Sequence, residues 1–119
     1  MPTMTTRSPQ EAFDHHAQAL GAEDIDEIVA DYSDDAVIIT PAGVKRGKEG
    51  VRENFVRLLG DLPQASWDIK TTVYEGDAML LEWGAVGGGN RVDDGVDTFV
   101  FRDGLIRLQT IRHTLRPAD

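Results

Sequence analysis

Two side chains in this sequence could move a proton in apolar surroundings. Asp97 interrupts Val96-Asp97-Thr98-Phe99-Val100-Phe101, a segment otherwise suited to a buried β-strand. With side chains alternating along a strand, its carboxylate shares a sheet face with Phe99 and Phe101. A buried acid is costly unless it is paired, hydrogen-bonded or protonated. Asp97 therefore faces solvent or forms a polar spot inside an apolar cavity. His16 lies between Phe13 and Leu20 on the apolar side of an amphipathic helix, with Ala17 at the same helical spacing. Histidine titrates near neutral pH, so an Asp97–His16 pair meeting across a cavity could exchange protons with a bound molecule. The plainer readings are an ion pair of Asp97 with Arg112 on the outer face, a core histidine bonded to backbone, or a satisfied buried network joining Asp97 to Tyr32, His16 or Gln109.

The neighbours of Asp97 depend on one hairpin. A two-residue turn at Asp103-Gly104 sets Asp97 opposite Thr110 and diagonal to Arg112. A three-residue loop, with Gly104 left-handed and a bulge, sets it opposite Gln109 and places Gln109, Ile111 and His113 on its side of the sheet. A slip of one residue changes the face of every partner.

The elements that must hold these residues follow from local signals. Ser8-Pro9-Gln10-Glu11 is a helix start with a capping box, and Gly21 ends that helix. Asp24 starts a second, in which Ile25, Ile28, Val29 and Tyr32 repeat the helical spacing. Ala36 to Thr40 is a short strand stopped by Pro41, and Pro41 to Gly47 is rich in turn residues. Gly47 opens a third helix with Val51, Phe55, Leu58 and Leu62 on its apolar side, closed by Gly60 and Pro63. Four long strands follow: Trp67 to Tyr74, Ala78 to Val86, Val92 to Arg102 and Leu105 to Leu115, with Gly87-Gly88-Gly89-Asn90 as a flexible connection. This order predicts an α+β fold with three helices on one face of a curved, mostly antiparallel sheet.

Composition excludes whole classes of function. A chain of 119 residues with a net charge of −9 fits one domain and lacks the basic footprint of a nucleic-acid or anionic-membrane binder. Lys45, Arg46 and Lys48 read as a solvated turn. With no cysteine, thiolate catalysis, disulfides and zinc–cysteine sites are ruled out. The three histidines and scattered acids show no metal-ligand spacing, so no metal and no cofactor are expected. Gly43 to Lys48 is one residue short of a phosphate loop, with Glu49 where Ser or Thr should stand. No apolar run is long enough to span a membrane, and the N-terminus lacks the apolar core of a secretory signal, so a cytoplasmic location is expected. Residues 8–116 are expected to form the domain, with 1–7 a flexible tail and 117–119 a second.

Three stretches carry a family resemblance: GAEDIDEIVADYSDDAVIITP (Gly21 to Pro41), GKEGVRENFVRLL (Gly47 to Leu59) and DTFVFRDGLIRLQTI (Asp97 to Ile111). With the element order, they make the chain resemble the nuclear transport factor 2-like superfamily, which includes ketosteroid isomerases and SnoaL-like polyketide cyclases. The resemblance implies a cone-shaped cavity between helices and sheet, and a homodimer. It favours the bulged hairpin. Position by position against ketosteroid isomerase, it implies that Asp97 is the oxyanion-site acid and Tyr32 part of the pocket's hydrogen-bond network. His16 falls at the oxyanion-tyrosine position, Phe55 replaces a second network tyrosine, and Thr40 occupies the place of the base aspartate. Threonine is not a useful general base near neutral pH, so ketosteroid isomerisation by that mechanism is not expected.

The expectation is a cavity protein for a small apolar molecule with a polar group, working by cofactor-free acid–base chemistry of isomerase, cyclase or dehydratase type. Asp97 and His16 are its working pair. Tyr32, Thr40, Gln109 and His113 orient the ligand, with Ile111 beside them and Phe13, Ile38, Phe55 and Phe99 as walls. The alternatives are a non-catalytic binder with the same pocket and a dimeric interaction module whose cavity is filled by Phe55 and Trp67.

Overall fold

Ser8 starts the first helix as its chemistry predicts. In the computed structural model, which describes residues 6–119, the Ser8 side chain accepts from the Glu11 amide at 3.1 Å while the Glu11 carboxylate accepts from the Ser8 amide at 2.8 Å. This box opens α1 (Pro9–Gly21), which buries Ala12, Phe13, His16 and Ala19. Asp24 caps α2 (Ile25–Ala30) through the Glu27 amide at 3.2 Å. Met1 to Thr5, most of the expected N-terminal tail, lie outside the described residues.

Tyr32 corrects the sequence reading. Its spacing continues the helical pattern of α2, yet it is the first residue of β1 (Tyr32–Thr40). The parallel pairing of Tyr32 with Ile106 recruits its backbone to the sheet, and its side chain is completely buried. Tertiary pairing here outweighs local periodicity. The turn-rich stretch holds a further strand, β2 (Gly43–Arg46), which forms a hairpin with β1. Then come α3 (Gly47–Asp61), β3 (Ser66–Glu75), β4 (Ala78–Gly87), β5 (Asn90–Arg102), β6 (Leu105–Arg112) and the two-residue β7 (Arg116–Pro117). Gly87 pairs with Asn90, so the connection read as flexible is a tight turn.

The sheet runs β2-β1-β6-β5-β4-β3, with β7 beside β5. Only the β1–β6 pair is parallel among the described strands. Register shifts in the β3–β4, β4–β5 and β5–β6 pairs bend the ribbon. The three helices cover the inner face, as an α+β cone requires. The core between them includes Ile28, Tyr32, Ile38, Phe55, Met79, Phe99 and Ile106.

The β5–β6 hairpin follows neither expected register. Arg102 pairs with Leu105 across a two-residue turn, and both turn residues are left-handed, Asp103 at φ 55° and Gly104 at φ 78°. A type I′ turn needs that backbone at both positions, which is where glycine serves. Further on, Phe101 pairs with Ile106 but Val100 pairs with Leu108, so Arg107 is an extra residue in β6. The three-residue loop is thus overturned, and the bulge lies inside the strand. Asp97 comes to oppose Ile111, one residue beyond the Thr110 that the turn alone would give. Parity still sets Gln109 and Ile111 on the same face as Asp97. Arg112 opposes Val96 and is exposed, which removes the outer ion pair with Asp97.

Both ends of the described chain are tied down. Arg7 donates to Asp31 at 3.1 Å. At the far end Arg116 and Pro117 pair with Arg91 and Asn90, and the Ala118 amide donates to Gly89 at 2.9 Å, so part of the expected C-terminal tail extends the sheet. No helix among the described residues is long and apolar enough to cross a membrane.

Candidate functional site

β5 and β6 carry Asp97 and Gln109 inward, and β4 brings Trp83 beside them. The Trp83 indole donates from Nε1 to Asp97 Oδ1 at 3.0 Å. The Gln109 amide donates from Nε2 to Asp97 Oδ2 at 2.9 Å. Gln109 is held in that orientation because its Oε1 accepts from the Tyr32 hydroxyl. Each carboxylate oxygen therefore meets a neutral N–H, an arrangement made for the ionised acid. Gly95, two residues before Asp97, lets Trp83 in: a Cβ there would overlap the indole.

These groups border a cavity of about 90 Å³ between α1, α3 and the inner sheet face. Phe13, His16, Phe55, Asp97, Phe99, Gln109 and Ile111 line it, as expected from the sequence. Trp67, Leu81 and Trp83 line it too. Strand alternation was the signal for Trp83, since Glu82 beside it is exposed. Tyr32 does not line the cavity itself but backs it through Gln109, His16 and Phe55. Ile38 does not form a wall: it is fully buried beside Gln109 in the β1–β6 pairing. Thr40 and His113 lie elsewhere, in an outer cleft at the end of β1. Thr40 is the last residue of β1, and its hydroxyl accepts from the Ala42 amide at 3.1 Å.

Burial favours the neutral form of both candidate groups and so shifts their pKa values in opposite directions. Asp97 is 6% exposed, and desolvation pushes its pKa up to about 6 against the pull of Trp83 and Gln109. His16 is 3% exposed among the rings of Phe13, Tyr32, Phe55 and Phe99, with centroids 5.5–6.3 Å away. Desolvation, then the charge of His15, pushes its pKa down to about 4. Near neutral pH His16 is uncharged, and its Nδ1 has no hydrogen-bond partner. No hydrogen bond joins it to Asp97 among the described residues. Burial thus raises the pKa of the carboxyl group and lowers that of the imidazole.

A second polar centre was missed entirely. His15 is only partly exposed and bonds Asp31 Oδ1 through Nδ1 at 2.7 Å, with Glu27 3.3 Å from Nε2. Its signal in the sequence is only a helical histidine off the apolar face. Among the described residues no group of three or more metal-ligating side chains comes together.

A family profile described as "SnoaL-like domain" matches residues 13–109. Comparison with curated proteins returns no match. Solved structures with the same fold include an NTF-2-like protein of unknown function from Burkholderia xenovorans, at 23% identity and TM-score 0.76, covering 89% of this chain and 82% of that one. An uncharacterized cystatin-fold protein from Novosphingobium aromaticivorans aligns at 24% identity and TM-score 0.74, covering 89% and 98% of the two chains. A candidate polyketide cyclase from Streptomyces antibioticus aligns at 17% identity and TM-score 0.75, covering 90% and 92%.

Proposed function

This chain belongs to the SnoaL-like domain family, and from that premise we propose that it performs cofactor-free acid–base chemistry on a small, largely apolar carbonyl compound held in the inner cavity. The observation that carries the reading is Asp97: a carboxylate bordering an apolar cavity, held by two neutral donors and raised toward pH 6. An acid tuned this way is a usable base near neutral pH. Asp97 would take a proton from the carbon beside the carbonyl. The electron pair of that C–H bond moves into a new C=C bond, and the carbonyl π pair moves to oxygen. The neutral His16 ring would donate a hydrogen bond to the developing oxyanion, a role suited to an imidazole that does not charge. Where the substrate carries a β,γ C=C bond, Asp97 would return the proton at the far carbon of the dienolate as the oxyanion pair re-forms the carbonyl, giving isomerisation; otherwise the enolate carbon would attack a second carbonyl of the same molecule and the resulting alkoxide would take the proton back from Asp97, giving cyclisation. The candidate polyketide cyclases among the structural relatives support this class of chemistry.

Exchange of the α-protons of 2-tetralone in D₂O, followed by proton NMR, tests the step without the natural substrate. The wild-type protein is expected to accelerate exchange, and Asp97→Asn to lose the acceleration. A non-catalytic binder is favoured by one observation: both oxygens of Asp97 are already satisfied, as in a passive anchor. That reading is distinguished by ligand-induced stabilisation without any exchange.

A second copy of the chain is the proposed partner for the outer sheet face. Ile39, Val44, Val73, Leu80 and Val96 are exposed there, an apolar patch of the kind that marks an interface. Sedimentation is expected to give a dimer that Leu80→Lys weakens; a wild-type monomer at micromolar concentration would remove this proposal.

A further inference from the structure

We propose that Tyr32 is a positioning residue for Asp97: its hydroxyl dictates which end of the Gln109 amide, N–H or C=O, faces the carboxylate. The bearing of this on catalysis rests on the reading of Asp97 as the base. Three partners surround the carboxylate in a hydrogen-bonded row. The Tyr32 hydroxyl donates to Gln109 Oε1, and Gln109 Nε2 donates to Asp97 Oδ2 at 2.9 Å. Trp83 Nε1 donates to the other carboxylate oxygen, Oδ1, at 3.0 Å. Tyr32 and Gln109 are both buried, and Tyr32 does not line the cavity. Its hydroxyl therefore reaches Asp97 through Gln109.

Trp83 and Gln109 differ as partners. An indole N–H can only donate, so Trp83 offers Asp97 the same group whether the acid is ionised or protonated. A primary amide can donate or accept. Gln109 thus favours the ionised acid with one end and the protonated acid with the other. The two ends are nearly the same size, so packing does not choose between them. The Tyr32 hydroxyl does. Desolvation, then the charges of Asp97 and Asp31, hold its pKa well above the usual phenol value, so it keeps its proton. That proton has no other hydrogen-bond partner among the described residues. If Gln109 turned over, the amide N–H would meet the phenol oxygen, and the phenol O–H would be left buried without an acceptor. The other titratable groups on the cavity, His16 on α1 and Asp68 on β3, make no hydrogen bond to Asp97 among the described residues. From α3 the cavity receives only the uncharged Phe55 and Leu58.

Carbon-13 NMR titration of Asp97 in the wild-type protein, Tyr32→Phe, Gln109→Leu and the double variant tests this. Tyr32→Phe keeps the ring and removes only the hydroxyl. Gln109 can then turn its C=O to accept from protonated Asp97, so the midpoint is expected to rise from about 6 to about 7. Adding Tyr32→Phe to Gln109→Leu is expected to move it no further, because the amide that Tyr32 orients is gone. Should Gln109→Leu not fold, Gln109→Met takes its place. A Tyr32→Phe midpoint equal to that of the wild type overturns the proposal. So does a rise of the same size in the Gln109→Leu background. Exchange of 2-tetralone gives a second readout. Relative to wild type, Tyr32→Phe is expected to be about fivefold slower at about pH 6 and within about twofold at about pH 8.5. A rate lowered equally at every pH would show a structural role and overturns the positioning role. If the wild-type protein shows no exchange but the midpoint moves as expected, the base reading fails and the orienting role of Tyr32 stands. If exchange depends on Asp97 and the midpoint stays at about 6 in Tyr32→Phe, the base reading stands and the orienting role fails.

Discussion

Asp31 and Asp97 are both buried carboxylates, 1% and 6% exposed, yet their partners differ in charge. Asp31 sits where α2 hands over to β1. It accepts from the Arg7 guanidinium at 3.1 Å and from His15 at 2.7 Å, and its backbone oxygen accepts from the Ile106 amide at 2.8 Å. Its pKa too lies above the ordinary value, because burial outweighs the opposing pull of His15 and Arg7. Asp97 has only the neutral donors Trp83 and Gln109, and it borders a cavity. The Arg7 cation favours the ionised form of Asp31 and makes it a latch. Neutral donors fix the position of Asp97 and only partly offset the rise in basicity that burial brings. One fold thus uses an aspartate to tie α1 to the sheet and, under the proposed function, another to arm a pocket.

The largest test of that contrast is turnover. Asp97→Asn is expected to lower the rate of 2-tetralone exchange by about 10³-fold, within the range of a lost general base. Asp31→Asn is expected to stay within about threefold of wild type while lowering the melting temperature. Equal losses in the two variants would break the comparison.

Stability against pH sharpens it. The folded pKa of Asp97, about 6, lies above its ordinary 3.8. Between those values the folded protein keeps a proton the unfolded chain gives up, so this group lowers stability as pH rises from about 4 to 6. His16 is the reverse: its folded pKa of about 4 lies below 6.5, so its contribution rises with pH over about 4 to 6.5. Each contribution is about 3 kcal/mol, and in the wild-type protein they nearly cancel. Relative to wild type, His16→Leu is expected to lose about 3 kcal/mol between pH 4 and 6 in denaturant titrations, and Asp97→Asn to gain about as much between pH 4 and 6.5. Variants with the same pH profile as wild type would mean that neither group is desolvated.

Smaller effects follow from the supports. Gly95→Ala forces a methyl into the Trp83 indole, so a loss of about 1–3 kcal/mol is expected in thermal or urea unfolding, with slower exchange because Trp83 no longer holds Asp97. Arg7→Ala, whose guanidinium is 43% exposed, is expected to cost less than about 1 kcal/mol and to leave exchange untouched.

The sequence made Asp97 conspicuous because an acid among β-branched and aromatic residues contradicts its own strand. The same logic placed His16, since one helical period carries it between Phe13 and Leu20. Gln109 and Ile111 were placed on the correct face for an incorrect reason. The Arg107 bulge restores the parity that a three-residue loop would have supplied, and a bulge inside a strand leaves no mark in local composition. Tyr32 kept helical spacing, and only its partner Ile106, 74 positions on, moves it to a strand. Trp83 and Gly95 form a complementary pair across two strands, visible only once the register is known. Thr40 and His113 went to the outer cleft because the cone has two compartments, which no linear pattern encodes.

Carbon-13 NMR titration of the side-chain carboxyls tests the central claim most directly. Asp97, assigned by its absence from the Asp97→Asn spectrum, is predicted to titrate at about pH 6. A midpoint near the ordinary 3.8 would show a carboxylate that is solvated or paired with a cation, and would contradict the account.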